Sequence, residues 1–167
     1  NGGDTDPECT TCTTTHPVAL PVVAVSKSSN PATGTTVTPG QTIEYTLTAN
    51  VTVSSLTSAL VLTDTISGDQ TLVTPLPAGC VVNAGGLVCT VASGSPVGAY
   101  TFVYSTTVDA DAAGTVGNSV VVTGNGGDTD PECTTCTTTH PVILPTTTLS
   151  KLVDAAGPVL PGATLTY

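Results

Sequence analysis

Methionine, tryptophan and arginine are absent from this sequence, phenylalanine occurs once, and apart from two histidines the only cationic side chains are Lys27 and Lys151. A helical bundle draws its surfaces from Lys, Arg, Glu and Met, so their scarcity argues against one. The formal charge of -10 has the wrong sign for nucleic acid or an anionic membrane surface, which excludes both as electrostatic partners. No apolar run reaches the roughly 18 residues of a membrane span, so no membrane insertion is expected. An initiator methionine, a secretion signal and a sorting tail are also missing, and the 167 residues are expected to be part of something longer.

What is abundant is Val, Thr, Gly and Pro, a strand-and-turn composition, with 39% hydrophobic residues. Uncharged Thr and Ser supply most of the polar surface, and six cysteines at ordered spacings favour an oxidising, extracellular or cell-surface location. The expectation is an all-β protein.

An internal repeat organises the chain. NGGDTDPECTTCTTTHPV at Asn1–Val18 returns unchanged at Asn125–Val142, 124 residues later. After the second copy, LSKLVDAAGPVLPGATLTY follows the plan of VSKSSNPATGTTVTPGQTIEYT, so that Lys151 answers Lys27 and Tyr167 answers Tyr45. The sequence divides on this basis into an acidic, Cys- and Thr-rich linker at 1–18, one complete repeat at 19–124, a second linker at 125–142, and the first strands of a further repeat at 143–167. Alternating segments at Val22–Lys27, Thr42–Val51, Ala59–Ile66, Gly79–Val82, Leu87–Val91, Tyr100–Val108 and Thr115–Thr123 read as strands of an immunoglobulin-like β-sandwich. Tyr100, Phe102, Tyr104 and Val108 share one face, and such a row is core far more often than a sugar-binding strip.

The segments TPGQTIEYTLTANV, LVLTDTISG, LPAGCVVNAGGLVCTV and AAGTVGNSVVVTG stand in an order that resembles the conserved repeat domain, domain of unknown function eleven, of bacterial and archaeal surface proteins. The resemblance covers nearly all of 19–124. It implies an immunoglobulin-like module strung in tandem along a large secreted or wall-attached protein, an adhesin or stalk, with no single assigned activity. The CTTC linker does not map onto the family's pattern.

Strand parity places Lys27 on the face of Val23 and Val25, Asp64 on that of Leu60, Leu62 and Ile66, and Asn118 on that of Val116, Val120 and Val122. A buried ammonium must be paired, neutralised or chemically consumed. Lys, Asp and Asn are the set needed for a spontaneous isopeptide bond, in which the Lys27 amine attacks the Asn118 side-chain carbonyl while Asp64 relays protons. This resembles the cross-linking of Gram-positive pilin and adhesin domains, where the first and last strands are joined. The blander alternative is a buried Lys27–Asp64 ion pair with Asn118 hydrogen-bonded nearby. Glu44 is a rival relay on the opposite face, and the next repeat carries Thr166 in its place.

Cys80 and Cys89 flank VVNAGGLV, and a turn at Ala84-Gly85 would set them opposite each other for a disulfide. Cys9 and Cys12, repeated as Cys133 and Cys136, form CTTC with His16 or His140 four residues on. A local disulfide is favoured there over a zinc or redox site, because four zinc ligands and a βαβ context are both missing. Asp4, Asp6 and Glu8, with their copies Asp128, Asp130 and Glu132, either bind calcium at the junction or form a solvated acidic linker.

These readings converge on a structural repeat of an extracellular fibre, stalk or large surface protein. Its partners would be neighbouring repeats and lateral or head-to-tail copies of itself, with no cofactor required beyond optional calcium. An adhesin or ligand-binding module is the alternative, and a metal-binding linker a weaker one. No Ser-His-Asp order, phosphate loop or catalytic carboxylate pair supports an enzyme.

Overall fold

Alternating apolar and polar residues in β-branched stretches dictate extended chain with one face buried, and a computed structural model, which describes residues 11–153 and 157–166, has that form. The strands are β1 (Val22–Asn30), β2 (Thr42–Thr52), β3 (Leu60–Ser67), β4 (Gln70–Leu72), β5 (Cys80–Asn83), β6 (Gly86–Val91), β7 (Gly98–Val108), β8 (Thr115–Asn125), β9 (Glu132–Thr135) and β10 (Thr137–Pro141). No helix occurs among the described residues. One sheet has the order β4-β7-β2-β1-β9 and the other β10-β8-β3-β6-β5. The seven segments read from the sequence are all strands, with ends that differ by up to three residues.

The two sheets enclose an aliphatic core. Val23 and Val25 from β1, Ile43, Tyr45 and Leu47 from β2, Leu60 and Leu62 from β3, and Val116 and Val120 from β8 are all at most 1% exposed. Most of the aromatic row is core: Phe102, Tyr104 and Val108 are buried, Tyr100 is half-buried, and Tyr45 stacks on Tyr104 with ring centroids 5.4 Å apart. Buried on one face only, such strands could not slip register by one residue without exposing this whole set.

β4 has no apolar alternation to announce it. It is held by Gln70, whose Oε1 accepts from Tyr45 Oη at 3.1 Å and Thr106 Oγ1 at 2.6 Å, while its Nε2 donates to the carbonyls of Ser67 and Gly117. A buried amide with all its groups satisfied costs the core little.

Residues 125–142, read from the sequence as a linker, carry β9 and β10. β9 runs parallel to β1, with Ala24 opposite Glu132 and Val25 opposite Cys133. β10 runs antiparallel to β8 in the other sheet, from Thr137 opposite Ser119 to Pro141 opposite Thr115. The segment thus crosses from one sheet to the other and covers one open side of the sandwich. Gly126 and Gly127, at φ 70° and 99°, turn the chain out of β8 toward β1 in a conformation that side chains disfavour. Asp128 then anchors it: Oδ2 accepts from Val23 N at 2.7 Å and Oδ1 from Asp130 N at 3.1 Å. Beyond Val142, which bridges to Val37, the described residues form no strand.

Candidate functional site: a buried Lys-Asp-Tyr-Asn cluster

Period-2 alternation sends Lys27, Asp64 and Asn118 into the core, as parity requires, and all three are at most 4% exposed. They come from β1 in one sheet and from β3 and β8 in the other, so they meet between the layers. Lys27 Nζ donates to Asp64 Oδ2 at 2.7 Å, and both side chains are wholly inaccessible to solvent. Tyr104 from β7 completes the group. Its hydroxyl donates to Asp64 Oδ2 at 2.6 Å and accepts from Lys27 Nζ at 2.9 Å and from Asn118 Nδ2 at 2.5 Å. Because Lys27 Nζ and Asn118 Nδ2 both touch one oxygen, they are no farther apart than the sum of those last two distances. The ammonium also lies over the Tyr45 ring, 4.7 Å from its centroid, and 5.3 Å from that of Tyr104.

The electrostatics disfavour the charged form of each partner. Burial lowers the Lys27 pKa, and the pull of Asp64 in the other direction is smaller. Burial likewise raises the Asp64 carboxyl above its ordinary value, against the smaller effects of Lys27 and Tyr104. The two shifts bring an amine and a carboxylic acid toward a neutral pair in a low-dielectric site. Tyr104 is pushed up as well, first by burial and then by the Asp64 charge, so its hydroxyl keeps its proton. Two buried oxygens, Asp64 Oδ1 and Asn118 Oδ1, have no hydrogen-bond partner. A proton on Asp64 Oδ1 would give the carboxyl a donor and leave the amide oxygen as the acceptor that lacks one.

Tyr104 was legible as core but not as a member of this cluster. The available signal was that a buried tyrosine needs a partner for its hydroxyl, and Tyr104 lies on the inward face with Phe102 and Val108. Glu44 is exposed on the outer face of β2, away from the cluster. Lys151 is exposed and lies outside any strand.

The closing segment roofs the cluster. Thr138 of β10 is opposite Asn118, and Thr135 of β9 is opposite Ser26, with its Oγ1 accepting from Lys27 N at 3.3 Å. A half-open pocket of about 210 Å³ lies beside it, lined in part by Lys27, Ser29, Thr135 and Thr138. His140 is fully buried: Nδ1 faces the Thr35 carbonyl at 3.1 Å and Nε2 the Ser29 hydroxyl at 3.1 Å. Both ring nitrogens are occupied within the fold, and neither is directed at the cysteines.

Cys80 and Cys89 are directly opposite in the β5–β6 hairpin and form a disulfide with Cα atoms 4.0 Å apart. The hairpin turns at Ala84-Gly85, where Gly85 has φ 88°. Cys133 and Cys136 are also disulfide-bonded, across the step from β9 to β10. Cys9, expected to pair with Cys12, lies outside the described residues, as do Asp4, Asp6, Glu8 and Tyr167. Among the described residues no group of three or more His, Cys, Asp or Glu side chains could hold a metal. Asp128, placed by sequence in a possible calcium set with Asp130 and Glu132, accepts backbone N–H groups on both carboxylate oxygens.

Two disulfides suit an oxidising, extracellular environment, and no helix among the described residues is long and apolar enough to cross a membrane. Compared with known proteins, the chain matches no family model and no curated protein.

Proposed function

We propose that this chain is a tension-bearing segment of an extracellular fibre, stalk or large surface protein. Its repeating unit is an immunoglobulin-like sandwich stapled by a Lys27–Asn118 isopeptide bond, and it has no activity beyond that self-joining. The observation that carries the reading is the solvent-free contact of Lys27, Asp64, Tyr104 and Asn118 between the sheets. In the joining step the neutral Lys27 Nζ attacks Asn118 Cγ. The Nζ–Cγ bond forms, the Cγ–Nδ2 bond breaks, and a proton from the amine passes through Asp64 to Nδ2, which leaves as ammonia. No oxidant or cofactor is needed.

Closing a loop from Lys27 to Asn118 would stabilise the fold by roughly 4–5 kcal/mol on the loop-entropy scale used for disulfides. The unit that repeats is best taken as 19–142, because the segment at 125–142 hydrogen-bonds into both sheets. On that unit Asn118 is not on the last strand, and the staple guards the chain only from Lys27 to Asn118.

Intact mass of the full chain, measured before and after reduction, tests the reading. The chain should be lighter than its residue sum by one ammonia beyond the disulfide hydrogens, and Lys27→Ala or Asp64→Ala should restore that mass. A wild-type mass equal to the residue sum after the disulfide correction would end the proposal.

A further inference from the structure

One amino-acid sequence occurs twice in this chain in two different structural states. Thr135–Val142, TCTTTHPV, spans the end of β9 and all of β10, with Thr138 and His140 buried. The same eight residues at Thr11–Val18 form no strand and are all exposed. Since the sequences are identical, the difference comes from what surrounds them. The second copy lies on a seat built from the edges of β1 and β8 and from the Ser29–Val37 loop.

We propose that this seat also accepts residues 1–18 of a second copy of the chain, in place of the resident 125–142, and so joins chains head to tail. Every contact the resident segment makes through its side chains is available from the visitor. Asp4 stands for Asp128 at Val23 N, Thr14 for Thr138 beside Asn118, and His16 for His140 between Ser29 and Thr35. The main-chain bonds depend only on strand direction, which the visitor shares. The exit also fits. The resident leaves the seat through Val142 and Ile143, bonded to the Gly114 carbonyl and the Val37 carbonyl, and continues into Leu144-Pro145. The visitor would leave through Val18 and Ala19 into Leu20-Pro21 and its own β1. A second chain would therefore hang from the seat as a following repeat does, with a noncovalent junction in place of the peptide connection.

The resident has the advantage of being tethered, at an effective concentration a separate chain matches only when concentrated. Its hold is main-chain pairing, the buried polar contacts of Asp128 and His140, and the packing of Cys133, Cys136 and Val142 on the core, beside a half-open pocket of about 210 Å³. Exchange is thus expected when the resident is weakened or when chains refold together at high concentration.

The full chain with His140→Lys has a damaged resident and an intact visitor. By sedimentation it should show a weight-average mass rising with concentration to at least twice that of the monomer, and adding His16→Lys should return it to monomer. A His140→Lys chain that remains monomeric with a folded circular dichroism spectrum overturns the proposal, as does oligomerisation that survives His16→Lys. If His140→Lys does not fold, wild-type chain is refolded with excess fluorescent peptide of sequence 1–18. Retention of that peptide through gel filtration, and loss of retention for the His16→Lys peptide, supports the proposal. Equal retention of both, or of neither, overturns it. Neither measurement depends on the isopeptide bond, which mass reports separately.

Discussion

The Tyr104 hydroxyl accepts from Asn118 Nδ2 at 2.5 Å while it donates to Asp64 Oδ2, so one phenol oxygen links the amide that would be cut to the carboxyl that would relay the proton. Its role can be separated from packing. Tyr104→Phe keeps the ring that stacks on Tyr45 and removes only the oxygen. The mass loss of one ammonia after refolding should then proceed more slowly by on the order of a hundredfold, the scale of a positioned proton-transfer group. Time-resolved intact mass measures it, and an unchanged rate would leave Tyr104 a packing role only.

Under tension the staple and the closing segment should part company. With Lys27 joined to Asn118, pulling on the chain ends can release 119–142 but not the chain between the staple points. Single-molecule extension should give a first step of about 80 Å at ~3.3–3.6 Å per residue. Lys27→Ala should give about 300 Å more from the segment that the bond had protected. A wild-type domain that extends as far as Lys27→Ala would show that no staple is in the force path.

Acid and alkali should both stabilise an unstapled chain relative to intermediate pH. In Asn118→Ala the Lys27–Asp64 pair persists without an electrophile. The folded pKa of Asp64 is raised, so its contribution to stability is fully present below about 3.8, the unfolded value, and is lost as pH rises through the folded value. Lys27 is shifted down, so the unfolded chain binds the extra proton between the folded value and 10.5, and stability recovers as pH rises through that window. Thermal midpoints across pH, compared with Lys27→Met/Asp64→Leu/Asn118→Ala, should show a trough between the two windows that the triple variant lacks.

Asp128→Ala should cost about 1.5–3 kcal/mol, because it strips a charged acceptor from the buried Val23 N–H. Denaturant titration measures the loss. Asp128→Asn, which keeps an acceptor oxygen, should recover part of it, and a null effect of Asp128→Ala would mean that β9 needs no anchor.

Removing the hairpin disulfide with Cys80→Ser/Cys89→Ser should destabilise by roughly 2–3 kcal/mol, the loop-entropy value for so short a loop. Register should survive, since β6 is also paired along its length with β3, from Leu60 opposite Val91 to Thr65 opposite Gly86. Chemical denaturation gives the first quantity, and retained burial of Leu87 by hydrogen exchange the second.

The parts of the fold legible in sequence were those where burial is apolar. Ile43, Tyr45, Leu47, Ala49 and Val51 leave one alternation in β2, and the same logic turned Lys27, Asp64 and Asn118 inward before any geometry was known. β9 and β10 were illegible for the complementary reason. Their inward residues include Thr138 and His140, polar groups that read as solvent-facing until their neighbours are known. Tyr45–Gln70–Thr106 was hidden likewise, since only a three-dimensional neighbourhood tells a satisfied buried amide from a turn residue.

A chain is made from its amino end, and β9 and β10 are the last pieces of the sandwich to emerge. Until they do, the edge of β1 is open to water beside Lys27, and a hydrated lysine remains an ammonium, which is no nucleophile. If the proposed bond forms, the segment that roofs the cluster would thus act as a timer. The covalent step would wait for desolvation, desolvation would wait for the strands carrying Thr135 and Thr138 to pair beside Lys27 and Asn118, and a half-made unit would be kept from locking into a wrong pairing irreversibly.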